Sequence, residues 1–323
     1  MAEIRYIKGS ALDKSRWDLI VRDDPNGSLF ATTFFLDVMS DGWDAIIYGD
    51  YDALLPLPVR VRWGYRYVHT IPFCGPLAVY GPAASHININ AMLSAIPPGI
   101  IRCDVNIWTD DPFPDGWAAQ PRTNYMLDLS EGYSVIRSQF HSSCRNLLNR
   151  GLSEGLHIEH GFPIASQVSL AGTHGGLGRT SGRDIIRFQR LCEQWPDNGH
   201  IYSLAVTSPT GHAVAGAVFL LSHQQLHYLL GWSSREGRRE NASRFLIDHI
   251  IRMHAGQPIT LDFEGSDISG VAQFFSSFGA VPKQYLLLRR DNMPTAVKIL
   301  MALRDGFRAG FTERMRGPSA PWR

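Results

Sequence analysis

Three apolar segments follow one another with almost nothing between them: HIYSLAVTS (200–208), HAVAGAVFLLS (212–222) and QLHYLLGWSS (225–234). PTG (209–211) and SHQQ (222–225) are the only turns available, and connections that short join antiparallel neighbours. A three-strand meander has to bury a face, and the flanking sequence offers helices to cover it. SGRDIIRFQRLCEQW (181–195), with Ser181 as its N-cap, precedes the meander, and NASRFLIDHIIRMHAGQ (241–257) follows it. A strand PITLDFEG (258–265), a helix ISGVAQFFSSFGA (268–280) and a strand KQYLLLRR (283–290) come next. Upstream, EGYSVIRSQFHSSCRNLLNRGLSEG (131–155) reads as one long helix leading into a strand, LHIEHG (156–161). Residues 291–323 read as a basic helix followed by RGPSAPWR.

The first half repeats the theme. EIRYIKG (3–9) reads as a strand and DKSRWDLIVRDD (13–24) as a helix capped by Asp13. After a break at PNG (25–27) comes a short helix, TTFFLDVMS (32–40), then a strand hairpin over 43–69 that turns at Gly49–Asp52. IPFCGPLAVYGP (71–82) is a loop or edge, residues 85–95 suit a helix, and IIRCDVNIW (100–108) and TNYMLDLS (123–130) suit strands. A boundary at the end of that last strand divides the chain into residues 1–128 and 129–323, two mixed α/β units in series.

Composition limits what such a chain can be. Its 323 residues suffice for two units with cores of their own. No apolar run reaches the roughly 20 residues of a membrane span, and the N-terminal segment has no apolar signal core, so a cytoplasmic protein is expected. The 4 cysteines are far apart and form no CxxC, which points to reduced thiols. Residues 1–128 carry 10 basic and 15 acidic side chains, whereas the remainder carries 21 and 15. Either the basic half faces phosphates or the two halves attract one another.

One stretch concentrates chemistry. LDFEGSDISGVAQFFSSFGA (261–280) places Asp262 and Glu264 at the end of an apolar strand, immediately before a helix. At i, i+2 they share a face if the strand runs through. Burial of such a pair raises at least one pKa towards the range a general base needs.

These words, with the helix–strand–helix–three strands–helix–strand–helix–strand order around them, resemble the GNAT acyltransferase superfamily. They resemble in particular its tandem-domain branch, the FemAB-like (FemABX) transferases. There an apolar strand, Asp-Phe-x-Gly, a short gap, a helix and Phe-Gly recur late in the chain. PNGSLFATTFFLDVMS (25–40) and SQFHSSCRNLLNRGLSEGLHIE (138–159) also look like segments of that family. The resemblance implies two tandem GNAT-like domains, each a mixed, mostly antiparallel sheet flanked by helices. It implies an N-acyltransferase with no tightly bound cofactor. The donor is aminoacyl-tRNA or acyl-CoA, and the acceptor is an amine on a peptide, such as a peptidoglycan precursor, or on a small molecule such as a secondary metabolite. A member that had lost catalysis would be a ligand-binding module.

The resemblance also distributes roles. Asp262 and Glu264 are candidates for orienting or deprotonating the amine. Phe275 stands where many GNAT enzymes carry an acidic tyrosine, which leaves Tyr285 on the last strand as the substitute. The place of the family's diphosphate loop is SSREGRRENASRFL (233–246), with Arg235, Gly237, Arg238, Arg239, Asn241 and Ser243, and it lacks the family's second glycine. Arg137 and Arg145 share a helical face, and with Trp232 and Ser266 they are candidates for substrate contact. GTHGGLGRTSGR (172–183) has no GK[ST] and reads as a mobile loop, which in a FemAB-like protein would gate the substrate. His157 and His160 point to opposite faces of a strand, and His223 and His227 straddle a turn, so no metal site is expected.

Overall fold

The computed structural model describes residues 3–294 except 63, 154, 179, 196–199 and 266. The predicted basic helix of the tail lies outside the described residues. In the first half the elements are β1 (Ile4–Ile7), α1 (Lys14–Asp23), α2 (Thr33–Met39), β2 (Trp43–Tyr48), β3 (Ala53–Arg62), β4 (Tyr65–Val68), α3 (Ile89–Ser94), β5 (Ile100–Ile107) and β6 (Ala118–Asp128). The second half opens with α4 (Tyr133–Ser138), α5 (Ser142–Ser153), β7 (His157–His160), α6 (Ile164–His174) and α7 (Gly182–Gln194). The meander follows as β8 (His200–Thr207), β9 (Ala213–Ser222) and β10 (Gln225–Ser233). Then come α8 (Arg235–Arg239), α9 (Ala242–His254), β11 (Thr260–Asp262), α10 (Ser269–Ser276) and β12 (Val281–Asp291). Asp13 and Ser181 cap α1 and α7 by accepting from Arg16 N and Asp184 N.

All 12 strands join one sheet in the order β1-β2-β3-β4-β5-β12-β6-β11-β10-β9-β8-β7. Adding six to each first-half label reproduces this order in reverse, so the halves are related by an internal two-fold. Among the strands of the described residues, β4–β5 and β10–β11 pair parallel, and they occupy equivalent places. The last strand of each half is exchanged: β12 pairs with β5, β6 pairs with β11, and the two pair with each other from Val281↔Met126 to Arg289↔Ala118. The boundary after Asp128 therefore falls directly behind a strand that pairs wholly with the second half.

Three apolar clusters hold helices to this sheet. One joins the halves: Trp17, Phe35 and Met39 of α1 and α2 pack with Phe188 and Leu191 of α7 and with Val218 and Trp232 of the meander. The second lies under α5, α9 and α10, and the third under α3. The charge asymmetry has a visible use here, because Asp41 of the first half pairs with Arg183 and Arg187 of α7. No helix among the described residues is long and apolar enough to cross a membrane.

Two predicted elements differ. The long helix 131–155 is broken, because His141 N–H donates to Ser277 O at 2.9 Å and turns the chain between α4 and α5. In addition, α6 occupies a stretch where no helix was expected, and its His174 is the third residue of the supposed gating loop. Gln167 of α6 is fully buried. Its Nε2 donates to Leu204 O at 2.8 Å and Ala217 O at 3.3 Å, and its Oε1 accepts from Trp232 Nε1 at 2.6 Å.

Two outcomes follow from this arrangement. Gln167→Leu removes these bonds, leaves Trp232 Nε1 without its partner and lowers unfolding stability by about 1–3 kcal/mol in urea titrations. Residues 1–128 expressed alone, deprived of β12 and β11, give no cooperative unfolding transition and broad proton NMR lines.

Candidate active site

Alternation along β10 divides its side chains. Leu226 and Tyr228 face the α9 side, while His227 faces the core shared by both halves, with its ring 4.7 Å from that of Phe30. The parallel register sets His227 against Asp262 on β11. Strand β11 ends at Asp262. Phe263 N–H still reaches Tyr125 O, but Glu264 takes a left-handed conformation, φ 60°, and its N–H donates to Asp262 Oδ1 at 2.7 Å. The turn, rather than a continuing pleat, brings the two carboxylates to one place.

The result is a buried cluster. His227 Nδ1 lies 2.6 Å from Glu264 Oε1 and 3.9 Å from Asp262 Oδ2. His227 and Asp262 are 1% and 3% exposed. His227 Nε2 has no hydrogen-bond partner. Burial pushes Glu264 up to about 8, and burial together with the charge of Glu264 pushes Asp262 up to about 7. Burial pulls His227 down to about 4, against the attraction of Asp262. Burial thus favours the neutral imidazole and the protonated forms of the carboxyl groups.

A cavity of about 180 Å³ opens beside the cluster. His227, Asp262, Met126 and Lys283 line it from the second half and the exchanged strands. The first half supplies Asn26, Ser28, Phe30, Pro76, Val79, Tyr80 and Trp108. The loop 71–82 thus closes the site. A Cβ on Gly75 would sit 2.6 Å from Glu264 Oε2 and 2.6 Å from the Phe30 ring, so only glycine lets this loop approach. The ammonium of Lys283 stands 4.5 Å over the Trp108 ring, whose other neighbour is the edge-on ring of Tyr285 at 5.6 Å.

Of the residues singled out from sequence, Asp262 and Glu264 are brought together and Tyr285 lies nearby, 9% exposed; burial raises its pKa, against the nearby Arg122. The others are elsewhere. Trp232 is 4% exposed and bonded to Gln167. Arg145 donates to the Phe140 and Ser138 carbonyls, and Arg137 to Asn149 Oδ1 at 2.9 Å. Arg235, Arg238 and Arg239 are exposed on α8, a single short turn whose Gly237 N–H is already taken by Ser234 Oγ at 3.0 Å. Gly237 itself packs on Val214 O. Asn241, in the left-handed region, and Ser243 start α9. Ser266 lies outside the described residues.

His227 and Lys283 were not singled out as members of this site. The signal for His227 is the parallel register of β10 and β11, which periodicity does not reveal. The first half offers a comparison: His69 follows β4 and Asp104 lies on β5, but the cavity there is only about 10 Å³, and Asp104 is paired with Arg102 and Arg289. The internal two-fold does not extend to a second open site at that place.

No protein-family profile and no curated protein sequence matches the chain. Solved structures do match in shape. FemX superposes over 88% of this chain and 96% of its own, with a TM-score of 0.62 and 14% identity. The C-terminal domain of a putative lysylphosphatidylglycerol synthetase from Agrobacterium fabrum superposes over 90% and 95%, at 0.52 and 16%. A GCN5-related N-acetyltransferase from Sphaerobacter thermophilus does so over 91% and 96%, at 0.50 and 12%. The chain has the FemAB-like GNAT fold that its motifs resemble.

The shifted groups set a pH dependence of stability. Carboxyls whose folded pKa lies above the unfolded value stabilise the protonated fold, and that stability is lost as pH rises through about 7 and about 8. Glu264→Gln removes part of this loss. The melting temperature of the wild type is expected to fall more steeply than that of the variant between pH values below about 7 and above about 8. Gly75→Ala forces Glu264 or Phe30 aside and costs about 1–3 kcal/mol in chemical denaturation.

Proposed function

We propose that the protein is an N-acyltransferase that passes an aminoacyl group from aminoacyl-tRNA to an acceptor amine, with His227 and Glu264 as the proton acceptor. The observation that carries this reading is the buried imidazole of His227, a residue of the cavity wall, whose Nδ1 meets Glu264 and whose Nε2 has no partner. Once the cluster has lost the proton of Glu264, Nδ1–H donates to the carboxylate and Nε2 presents a lone pair. The acceptor nitrogen attacks the ester carbonyl of the donor, and the C–N bond forms. Its proton passes to Nε2, and Glu264 stabilises the imidazolium. The C–O bond to the ribose breaks, and the same proton goes to the departing ribose hydroxyl. Lys283 supplies a positive charge on the cavity wall for the oxyanion formed on the way. Asp262, which accepts from Glu264 N–H, holds the turn that aims Glu264.

The choice of donor is supported by α8. Its Ser234 cap and its packing on β9 leave no glycine loop open to a diphosphate, which favours tRNA over acyl-CoA. The positive balance of the second half suits a nucleic-acid donor. The acceptor is an amine on a peptidoglycan precursor or a secondary metabolite.

The test is transfer of labelled amino acids from a bulk mixture of charged tRNAs to a cell-extract acceptor pool, run beside thiol release from acyl-CoA. Protein-dependent transfer from tRNA is expected. Glu264→Gln and His227→Gln should each reduce kcat about 10²–10⁴-fold in folded protein, and the wild-type rate should rise with pH through about 7 to about 8. Thiol release alone would replace the donor, and silence in both arms would defeat the reading.

A further inference from the structure

The cluster has a second chemical property that proton transfer does not use. His227, Asp262 and Glu264 each offer a donor atom, and these atoms all lie within 4.8 Å of one another. His227 and Asp262 are register partners on adjacent strands, and the turn after β11 brings Glu264 to them. They are held by elements that cannot move far: His227 by Phe30 at 4.7 Å, and Asp262 by the amide of Glu264 at 2.7 Å. Two carboxyl groups are buried here with one imidazole, whereas Lys283 of the cavity wall is exposed. Buried carboxyls ionise at a cost unless paired, and a bound metal supplies the charge that pairs them.

We propose that His227, Asp262 and Glu264 form a site for one divalent transition-metal ion of the zinc class. The ion takes the place of the proton between His227 Nδ1 and Glu264 Oε1. These atoms are 2.6 Å apart and open to the roughly 3.4 Å that two donors keep on one tetrahedral ion when each bond is about 2.0–2.2 Å. Glu264, whose side chain is 15% exposed, is the member with room to make that adjustment. The donor set selects the ion. One imidazole nitrogen and two carboxylate oxygens suit zinc and its neighbours, whereas calcium takes six to eight oxygens and magnesium retains most of its water. The cavity of about 180 Å³ supplies the fourth position, since a water molecule occupies about 30 Å³. Ion binding stands on this geometry alone. Only its consequence rests on the transfer reading: the ion takes Nδ1 and Glu264, which must exchange a proton before Nε2 can act as base, and so arrests turnover.

A competing site must be separated. His160 and His249 place their Nε2 atoms 3.1 Å apart on the surface, and such a pair attracts zinc by itself. The experiment therefore titrates zinc alone into full-length His160→Ala/His249→Ala protein by equilibrium dialysis, with no substrate present. One ion per chain is expected. Adding His227→Ala or Asp262→Asn should weaken binding by about tenfold or more, because even an outer-shell partner is worth about 10–100-fold in affinity. Wild-type crystals soaked in zinc, which avoid any folding defect of the variants, should show an anomalous peak between the three side chains. No bound ion, an unchanged affinity in both variants, or a peak confined to His160 and His249 would overturn the proposal. Because the ion itself is measured, a protein that binds zinc here but, stripped of metal, transfers nothing would defeat the transfer reading and leave the metal site standing.

Discussion

The antiparallel pairing of β6 with β12 at the centre of the sheet is the constraint on which the rest of the molecule depends. Each of these strands leaves its own half and completes the other. Neither β5 nor β11 then presents an open edge where they join, so no unpaired backbone is left at the middle of the sheet. The exchange also fixes how the halves face one another. It places Met126 and Lys283 on the wall of the same cavity as His227 and Asp262, and brings Phe30, Tyr80 and Trp108 of the first half onto its opposite side.

Burial follows from that placement, and the chemistry follows from burial. A histidine beside two carboxylates in water would be protonated and the carboxylates ionised. Here the loop carrying Gly75 and the ring of Phe30 exclude solvent, and the balance shifts: burial favours the neutral imidazole and the protonated carboxyls. The absence of a side chain at Gly75 is what lets the loop come close enough. A site between two halves also explains why first-half residues far away in sequence bear on chemistry carried by the second.

Much of the architecture was legible because it is local. The meander 200–233, the caps Asp13 and Ser181 and the turn at Gly49–Asp52 all rest on short-range patterns. The exchange of β6 and β12 was not, since it is a pairing between segments more than 150 positions apart that no periodicity encodes. Asp262 and Glu264 stood out because carboxylates at an apolar strand end are rare. His227 did not, because its partners lie 35 and 37 residues away and depend on the parallel register. The arginines of α8 are exposed in the fold, whereas the Gly237 N–H of the same turn is taken by the Ser234 cap and its backbone packs on β9.

The most direct measurement is the ¹⁵N spectrum of the His227 imidazole as a function of pH in full-length protein. The account predicts a neutral ring at all pH values above about 4. Once pH exceeds about 8, it predicts the tautomer with a proton on Nδ1 and a bare Nε2. An imidazolium at neutral pH, or a proton on Nε2 in alkaline solution, would contradict it.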